Sequence, residues 1–285
     1  MQARIGIVTD STAYLPPEVV ERYGIRVVPL IVRFGEDAYA EGVEIENSTF
    51  YRRFRQEKTL PKTSQPAVGE FVAAYQQLLA EKEGVVSVHI SGGLSGTVDA
   101  ARAAARVLGE ERIAIVDSRI SAMALGFMAW EAAELAEQGR GMEEIVARVE
   151  EIKREMKAYF MVDNLEYLAR GGRLSGMAAA LGSLLQIKPI LHLVDGRIEL
   201  LEKNRTRKRT LERILEFCRQ ESPPGRRMRA TIIHGDDLPA AEEFRSQVEA
   251  AVPGTEILIS EFGPVIGTYL GPGALGLAYY PLARE

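Results

Sequence analysis

The run from Val85 to Leu108 constrains this chain most. A continuous apolar stretch, Val85 to Ile90, passes through Ser91-Gly92-Gly93-Leu94-Ser95-Gly96-Thr97 into an alanine-rich segment, Val98 to Leu108. An apolar run without alternation buries both faces of a strand, and a helix directly after it is how parallel sheets are built. Two further apolar runs, Arg4 to Thr9 and Arg112 to Val116, end the same way, at Asp10-Ser11-Thr12 and Asp117-Ser118. The first part of the chain is therefore expected to be α/β, with a parallel sheet flanked by helices.

The turn at 91–97 is suited to an acidic ligand group. Its glycines present backbone N–H groups, the helix that follows contributes the positive end of its dipole, and Ser91, Ser95 and Thr97 add hydroxyls. It is a poor nucleotide loop. A phosphate-binding loop of the Walker type ends in Gly-Lys-Ser/Thr, whereas Gly96-Thr97 has no lysine, and Leu94 stands where a dinucleotide fingerprint needs its second glycine. It comes within one residue of the G-x-S-x-G nucleophile elbow, with Thr97 in place of the last glycine. A carboxylate-binding loop needs only donors and a helix end, and an ordinary tight turn capped by serines also fits.

At 285 residues the chain is expected to form two domains, residues 1–160 and 161–285. A net charge of −5 argues against general nucleic-acid binding. The single cysteine, Cys218, excludes an intrachain disulfide and reads as a small core residue. The first residues run straight into Ile5 to Val8 without the apolar core of a signal peptide, and no stretch reaches the ~18 apolar residues of a membrane span, so a cytoplasmic protein is expected.

Along the chain, Asp10-Ser11-Thr12 reads either as a ligand position at a strand's carboxyl end or as an Asx turn. Ile25 to Val32 reads as a strand carrying Pro29, and Ser48 as the cap of a short helix reaching Gln56. Lys62-Thr63-Ser64-Gln65-Pro66 precedes a helix over 67–83, with Ser64 as its expected cap. Helices are expected over 121–137, with Met123, Phe127, Met128 and Trp130 in the core, and over 142–157.

After a strand at Tyr159 to Val162 the texture changes. Leu165 to Ser175 joins a helical turn to Gly171-Gly172 and Arg173, and a small apolar run follows from Ala178 to Leu185. Asp195-Gly196 between two apolar runs predicts a hairpin, so the second domain is expected to be a mixed or antiparallel sheet with helices. Lys203 to Arg209 is the concentrated basic run, read either as a solvated helix face or as a docking surface, and it opens a helix to about Gln220. A strand from Met228, a helix over 239–251, a strand from Glu256, a Gly/Pro-rich loop over 261–273 and a last strand, Ala274 to Tyr280, complete the pattern.

In this order, Asp10-Ser11, Thr63-Ser64-Gln65-Pro66, Ser91 to Thr97, Val116-Asp117-Ser118, Leu165 to Leu174, Leu184 to Leu191 and Gly271-Pro272-Gly273-Ala274 resemble the DegV family. These are bacterial fatty-acid-binding proteins that include the binding subunits of fatty acid kinase. The resemblance implies two α/β domains with a long-chain fatty acid such as palmitate in a tunnel between them. It implies a carboxylate held by Thr63 and Ser95, with Ser91 and Gly96 of the loop assisting. Tyr269 stands where the family commonly has a histidine; a phenol donates one hydrogen bond and is neutral at pH 7. A separate ATP-dependent kinase would phosphorylate the presented carboxylate, with Arg173, Arg205 and Arg207 as docking or phosphate-contacting groups. No cofactor, metal, nucleic acid or stable membrane insertion is implied, and no catalytic residue.

The energetics suit a carrier. Burying the acyl chain is worth roughly 0.8 kcal/mol per methylene, on the order of 10 kcal/mol gross, and the buried headgroup then requires donors. The alternative is a serine esterase or thioesterase with Ser95 as nucleophile. Its base would have to be His89, His192 or His234, of which His234 alone follows an acidic candidate, Asp195, in hydrolase order.

Overall fold

The computed structural model describes residues 3–57, 59–174 and 187–283. Ser175 and the expected apolar run at 178–185 lie outside the described residues. Contacts divide the chain into two compact units, Met1–Ile45 with Pro61–Arg154, and Glu46–Leu60 with Glu155–Glu285. The chain therefore passes between units at three points, where the sequence reading draws one boundary at residue 160.

In chain order the elements begin with β1 (Ile5–Asp10), α1 (Pro17–Tyr23), β2 (Arg26–Val28), β3 (Ile31–Phe34), β4 (Asp37–Ala40), α2 (Asn47–Gln56) and β5 (Lys62–Ser64). Next come α3 (Val68–Leu79), β6 (Gly84–His89), α4 (Thr97–Leu108), β7 (Ile113–Asp117), α5 (Ala122–Glu137), α6 (Met142–Glu155), β8 (Lys157–Met161) and α7 (Glu166–Arg170). The last are β9 (Lys188–Val194), β10 (Arg197–Asn204), α8 (Arg207–Glu221), β11 (Met228–His234), α9 (Leu238–Ala251), β12 (Glu256–Glu261), α10 (Pro264–Leu270) and β13 (Leu275–Pro281).

The first unit holds a parallel sheet in the order β2-β1-β6-β7. Phe71, Ala74 and Tyr75 of α3, with Ala100, Ala101, Ala104 and Ala105 of α4, pack on Val8, Val28, Val85 and Ile113. Alternation turns Ile7, Val86 and Val88 to the opposite face, where α5 lies against β1 and β6. Met123, Phe127 and Met128 are buried in that layer, as expected of core residues. From β1 the chain steps to β2 on one side and later to β6 and β7 on the other. The carboxyl ends of β1 and β6 thus flank a topological switch point, the place where open α/β sheets receive ligands.

Several local expectations are corrected. The strand expected over 25–32 breaks at Pro29, which has no N–H for the ladder; β2 stays beside β1, while β3 joins a three-stranded sheet, β4-β3-β5. The Leu30 N–H donates to Ser11 Oγ at 3.0 Å. Ser64 does not cap α3. It pairs with Ile31 as the last residue of β5, and α3 starts after Ala67 with no side-chain cap. Ser48 lies inside α2, which starts after Glu46.

The second unit is a mixed six-stranded sheet in the order β10-β9-β8-β13-β11-β12, antiparallel except for the β11–β12 pair. The predicted hairpin joins β9 and β10, with φ of 47° at Asp195 and 78° at Gly196, as a type I′ turn requires. Ile214 and Cys218 of α8 and Ala241, Phe244 and Val248 of α9 form the core with Met161, Ile190, Ile232 and Leu277. Burial pushes the Cys218 thiol up to about 11, so it stays a thiol within that core. The basic run does not open a helix throughout: Lys203 and Asn204 finish β10, and α8 starts at Arg207, capped by Thr206 Oγ1, which accepts from the Arg209 N–H. The segment expected as a loop over 261–273 contains α10.

The helix α2 is built into this second unit. Its Phe50, Tyr51 and Phe54 are buried, and Tyr51 OH donates to the Phe262 carbonyl at 2.8 Å. Phe54 meets Tyr167 edge-on at 5.1 Å, Asn47 Nδ2 donates to Glu261 at 2.8 Å, and Arg55 pairs with Asp236 at 2.5 Å.

Candidate functional site

The loop over residues 91–96 leaves the carboxyl end of β6 at the switch point. Three bonds shape it: the Leu94 and Ser95 N–H groups donate to the Ser91 carbonyl at 3.0 and 3.1 Å, and the Gly93 N–H donates to Ser91 Oγ at 3.1 Å. Ser91 is thereby buried and spent on the turn, its own N–H donating to the Ile120 carbonyl at 2.8 Å. The Gly92 N–H donates to Asp117 Oδ1 at 3.2 Å, which ties the loop to the end of β7.

The loop delivers α4 with Gly96 as its N-cap and no side chain capping it. The first amides of a helix have no intrahelical acceptor, so this end concentrates N–H donors and positive dipole. Ser95 Oγ lies 2.8 Å from Thr97 Oγ1, and Ser95 is half-buried while Thr97 is buried. One of the two hydroxyls donates to the other; the recipient keeps its own hydrogen for a third group.

Thr63 of β5, half-buried, pairs with Val32 of β3. Two residues on, the Gln65 side chain lies against Gly96 so closely that a Cβ at 96 would collide with its amide oxygen. The structure therefore brings the Thr63-Ser64-Gln65-Pro66 segment onto the 91–97 loop within the first unit.

Asp10, His89, Ser87 and Tyr75 form a feature missed at the level of sequence. Asp10 and His89 are fully buried; Asp10 Oδ2 accepts from His89 Nδ1 at 3.0 Å and from the Ile90 N–H at 2.9 Å. His89 Nε2 lies 2.6 Å from Ser87 Oγ, which lies 2.9 Å from Tyr75 OH. An Asp–His–Ser string thus exists in this fold, but it ends on Ser87, which is sealed in the core, and not on Ser95. Of the two readings of Asp10-Ser11-Thr12, the turn describes the bonding: Asp10 Oδ1 accepts from the Thr12 N–H at 3.1 Å and from its hydroxyl at 2.5 Å. Ser11 is likewise internal, donating to Glu41 at 2.5 Å.

In the second unit, Tyr269 lies in α10 with the Arg173 guanidinium 4.7 Å from its ring centroid. Arg173 also donates to the Gly171 carbonyl at 2.6 Å. A positive charge thus stands beside the Tyr269 ring.

The arginines of the basic run separate. Arg205 is exposed, as are Lys203 and Lys208. Arg207 is engaged within the fold, donating to the Gly273 carbonyl at 2.6 Å and to Asp237 at 2.8 Å, with Asp163 at 3.6 Å. Lys188 also pairs with Asp163, at 2.6 Å. Asp163, Lys188, Arg207 and the Gly273 carbonyl therefore meet in one polar cluster, which joins the motifs at 184–191 and 271–274.

His234 ends β11 buried, its Nδ1 accepting the Asp237 N–H at 3.2 Å. Burial pushes its pKa below the ordinary histidine value, against a smaller upward pull from Glu261, Asp237 and Asp236. Among the described residues there is no grouping of three or more His, Cys, Asp and Glu able to hold a metal ion, and no helix long and apolar enough to cross a membrane.

Two α/β units, one of them with a strand-to-helix turn lacking a side-chain cap at a sheet switch point, define the class of fold. Over residues 4–282 the chain matches the family described as "Uncharacterised protein, DegV family". It is 44% identical over 276 residues to Protein DegV of Bacillus subtilis, covering 96% of this chain and 98% of that one. A DegV domain-containing protein of Listeria monocytogenes is 44% identical over 280 residues, covering 98% and 99%.

This chain belongs to the DegV family. Among solved structures, it is similar to a DegV family protein from Thermus thermophilus described by its fatty acid binding, with a TM-score of 0.92, 38% identity and coverage of 98% and 100%. The B. subtilis DegV crystal structure, described as a fatty acid binding protein, gives 0.91 at 43% identity, with the same coverage. A stearic acid-binding protein from Eubacterium ventriosum gives 0.88 at 26% identity, covering 97% and 98%.

Proposed function

We propose that this protein binds a long-chain fatty acid, sequesters its acyl chain in an apolar tunnel, and presents the carboxylate to a separate kinase without performing chemistry itself. The observation that carries the reading is the uncapped, hydroxyl-bearing end of α4, packed against the segment that holds Thr63, in a chain 38–43% identical to proteins described as fatty-acid-binding. Thr63 and Ser95 donate to the carboxylate, the amides around Gly96 add to the field, and Ser91 acts by shaping the turn. Tyr269 enters through the resemblance alone, and Arg173, beside its ring, keeps the docking or phosphate-contacting role that the resemblance implies. Hydrolysis is disfavoured by geometry: Ser95 pairs with Thr97, and His89 is taken by Asp10 and Ser87.

Native mass spectrometry of freshly purified protein tests the reading. A co-purified C14–C18 fatty acid at near-stoichiometric amount is expected. In a Thr63→Ala/Ser95→Ala variant, two hydrogen bonds to a charged group are removed, each worth about 1.5–3 kcal/mol, so Kd rises about a hundredfold or more. Protein that carries no fatty acid and takes up none on addition overturns the reading. For docking, Arg205 is exposed, whereas Arg207 is spent within the fold. Arg205→Glu is expected to lower phosphorylation of bound fatty acid by a partner kinase; unchanged coupling removes that surface.

A further inference from the structure

We infer that Asp10 and His89 are positioning residues for the 91–97 loop, holding the end of β6 in the register that aims the loop at its ligand. The inference deepens the proposed function and rests on it for its ligand, while its geometry stands without any ligand.

Asp10 is fully buried at the carboxyl end of β1, and four hydrogens converge on its carboxylate: the N–H and hydroxyl of Thr12, the His89 ring and the Ile90 N–H. A buried carboxylate is tolerable only when so satisfied. Two of the four donors come from consecutive residues, His89 and Ile90, immediately before Ser91. One side chain on β1 therefore clamps the last residue of β6 and the first residue after it, beyond the final β1–β6 ladder partner, Val8 with Ser87. Backbone bonds complete the hold, from the Ser118 N–H to the His89 carbonyl at 3.1 Å and from the Ser91 N–H to the Ile120 carbonyl at 2.8 Å.

The string also assigns the tautomer. An ionised Asp10 requires the hydrogen on His89 Nδ1; Nε2 then accepts from Ser87 Oγ, whose oxygen accepts from Tyr75 OH, and every proton has a place. An imidazolium would reverse the Ser87 hydroxyl and turn the Tyr75 hydrogen away from it. The groups facing His89 are Asp10 from β1, and Tyr75 and the Phe71 ring, edge-on at 5.0 Å, from α3. Across the ladder stands Asp117 of β7, whose carboxylate is held by the Gly92 and Arg119 amides. The hydrogen on Nδ1 is the one the clamp needs, because it is the one that reaches Asp10 Oδ2.

The test separates the clamp from core packing. Asparagine places its amide nitrogen near the position of histidine Nδ1, whereas glutamine places its amide nearer Nε2. His89→Asn therefore keeps the bond to Asp10 although it leaves a cavity, and His89→Gln loses that bond at nearly the original volume. Amide hydrogen exchange at Ile90 and at residues 93–95, measured on unliganded protein, is expected to quicken about tenfold in His89→Gln and in Asp10→Asn, and to stay within about twofold in His89→Asn.

Palmitate titration on the same proteins is expected to show the same order, with Kd raised about tenfold only where exchange quickens. Exchange unchanged in all variants, or quickened equally in His89→Asn and His89→Gln, overturns the inference. Exchange in the expected order with wild-type protein that binds no palmitate leaves the clamp in place and overturns the proposed ligand instead.

Discussion

At the scale of single residues, charge and burial decide what each group does. His234 is an example with a pH consequence. Its folded pKa is depressed by burial, so between that value and the unfolded value of about 6.5 the unfolded chain binds more protons. Its contribution to stability is present above about pH 6.5 and is lost as pH falls below it. His192, depressed by burial against a smaller pull from Glu199, acts in the same sense. The urea midpoint is expected to fall between pH 7 and 5.5, and to fall less in His234→Gln; a midpoint that rises over that range contradicts the assignment. The turn at 91–97 with its hydroxyls is legible in the sequence because a glycine turn before a helix is a local signal, whereas Thr63 enters through the resemblance alone. The pairing of Asp10 with His89 is not legible, because 79 positions separate them and only the sheet register brings them together.

At the scale of elements, most strands and helices follow the apolar patterning, and the misreadings have local causes. Pro29 cut one expected strand into two that serve different sheets. Glycine and proline made 261–273 read as a loop, yet Pro264 is tolerated at the first turn of α10 and Gly267 serves a close approach within it. A Cβ at Gly267 would stand 2.8 Å from Phe50 Cε1 and 3.0 Å from the Tyr51 hydroxyl. Gly267→Ala is therefore expected to destabilise by about 1–3 kcal/mol, seen as a Tm several degrees lower, by forcing α2 away from α10. Gly69→Ala, in α3 with open space where the Cβ would be, is the control and should be neutral or slightly stabilising. Equal melting points for the two variants would show that α2 is not seated as described.

At the scale of the whole molecule, the second unit is not a contiguous stretch of chain. Residues 46–60 supply α2, whose buried Phe50, Tyr51 and Phe54 cover α10 and α7. A fragment of residues 155–285 is expected to lack a cooperative thermal transition, since it exposes that aromatic seat. A synthetic peptide of residues 46–60, added in trans, is expected to restore the transition. A fragment that melts cooperatively alone, with no response to the peptide, would show that α2 is dispensable.

The α/β class, the parallel first sheet, the hairpin at Asp195-Gly196, the loop at 91–97 and membership in the DegV family were determined by the sequence itself. Each rests on short-range patterning or on motif order, which the linear chain carries in full. Only the tertiary structure decided that α2 belongs to the second unit, that Arg207 is spent on Asp237 and Gly273, that Arg173 stands over Tyr269, and that Asp10 clamps His89. These depend on which surfaces bury one another and which buried charges find partners, and a burial partner far along the chain leaves no mark in the local pattern.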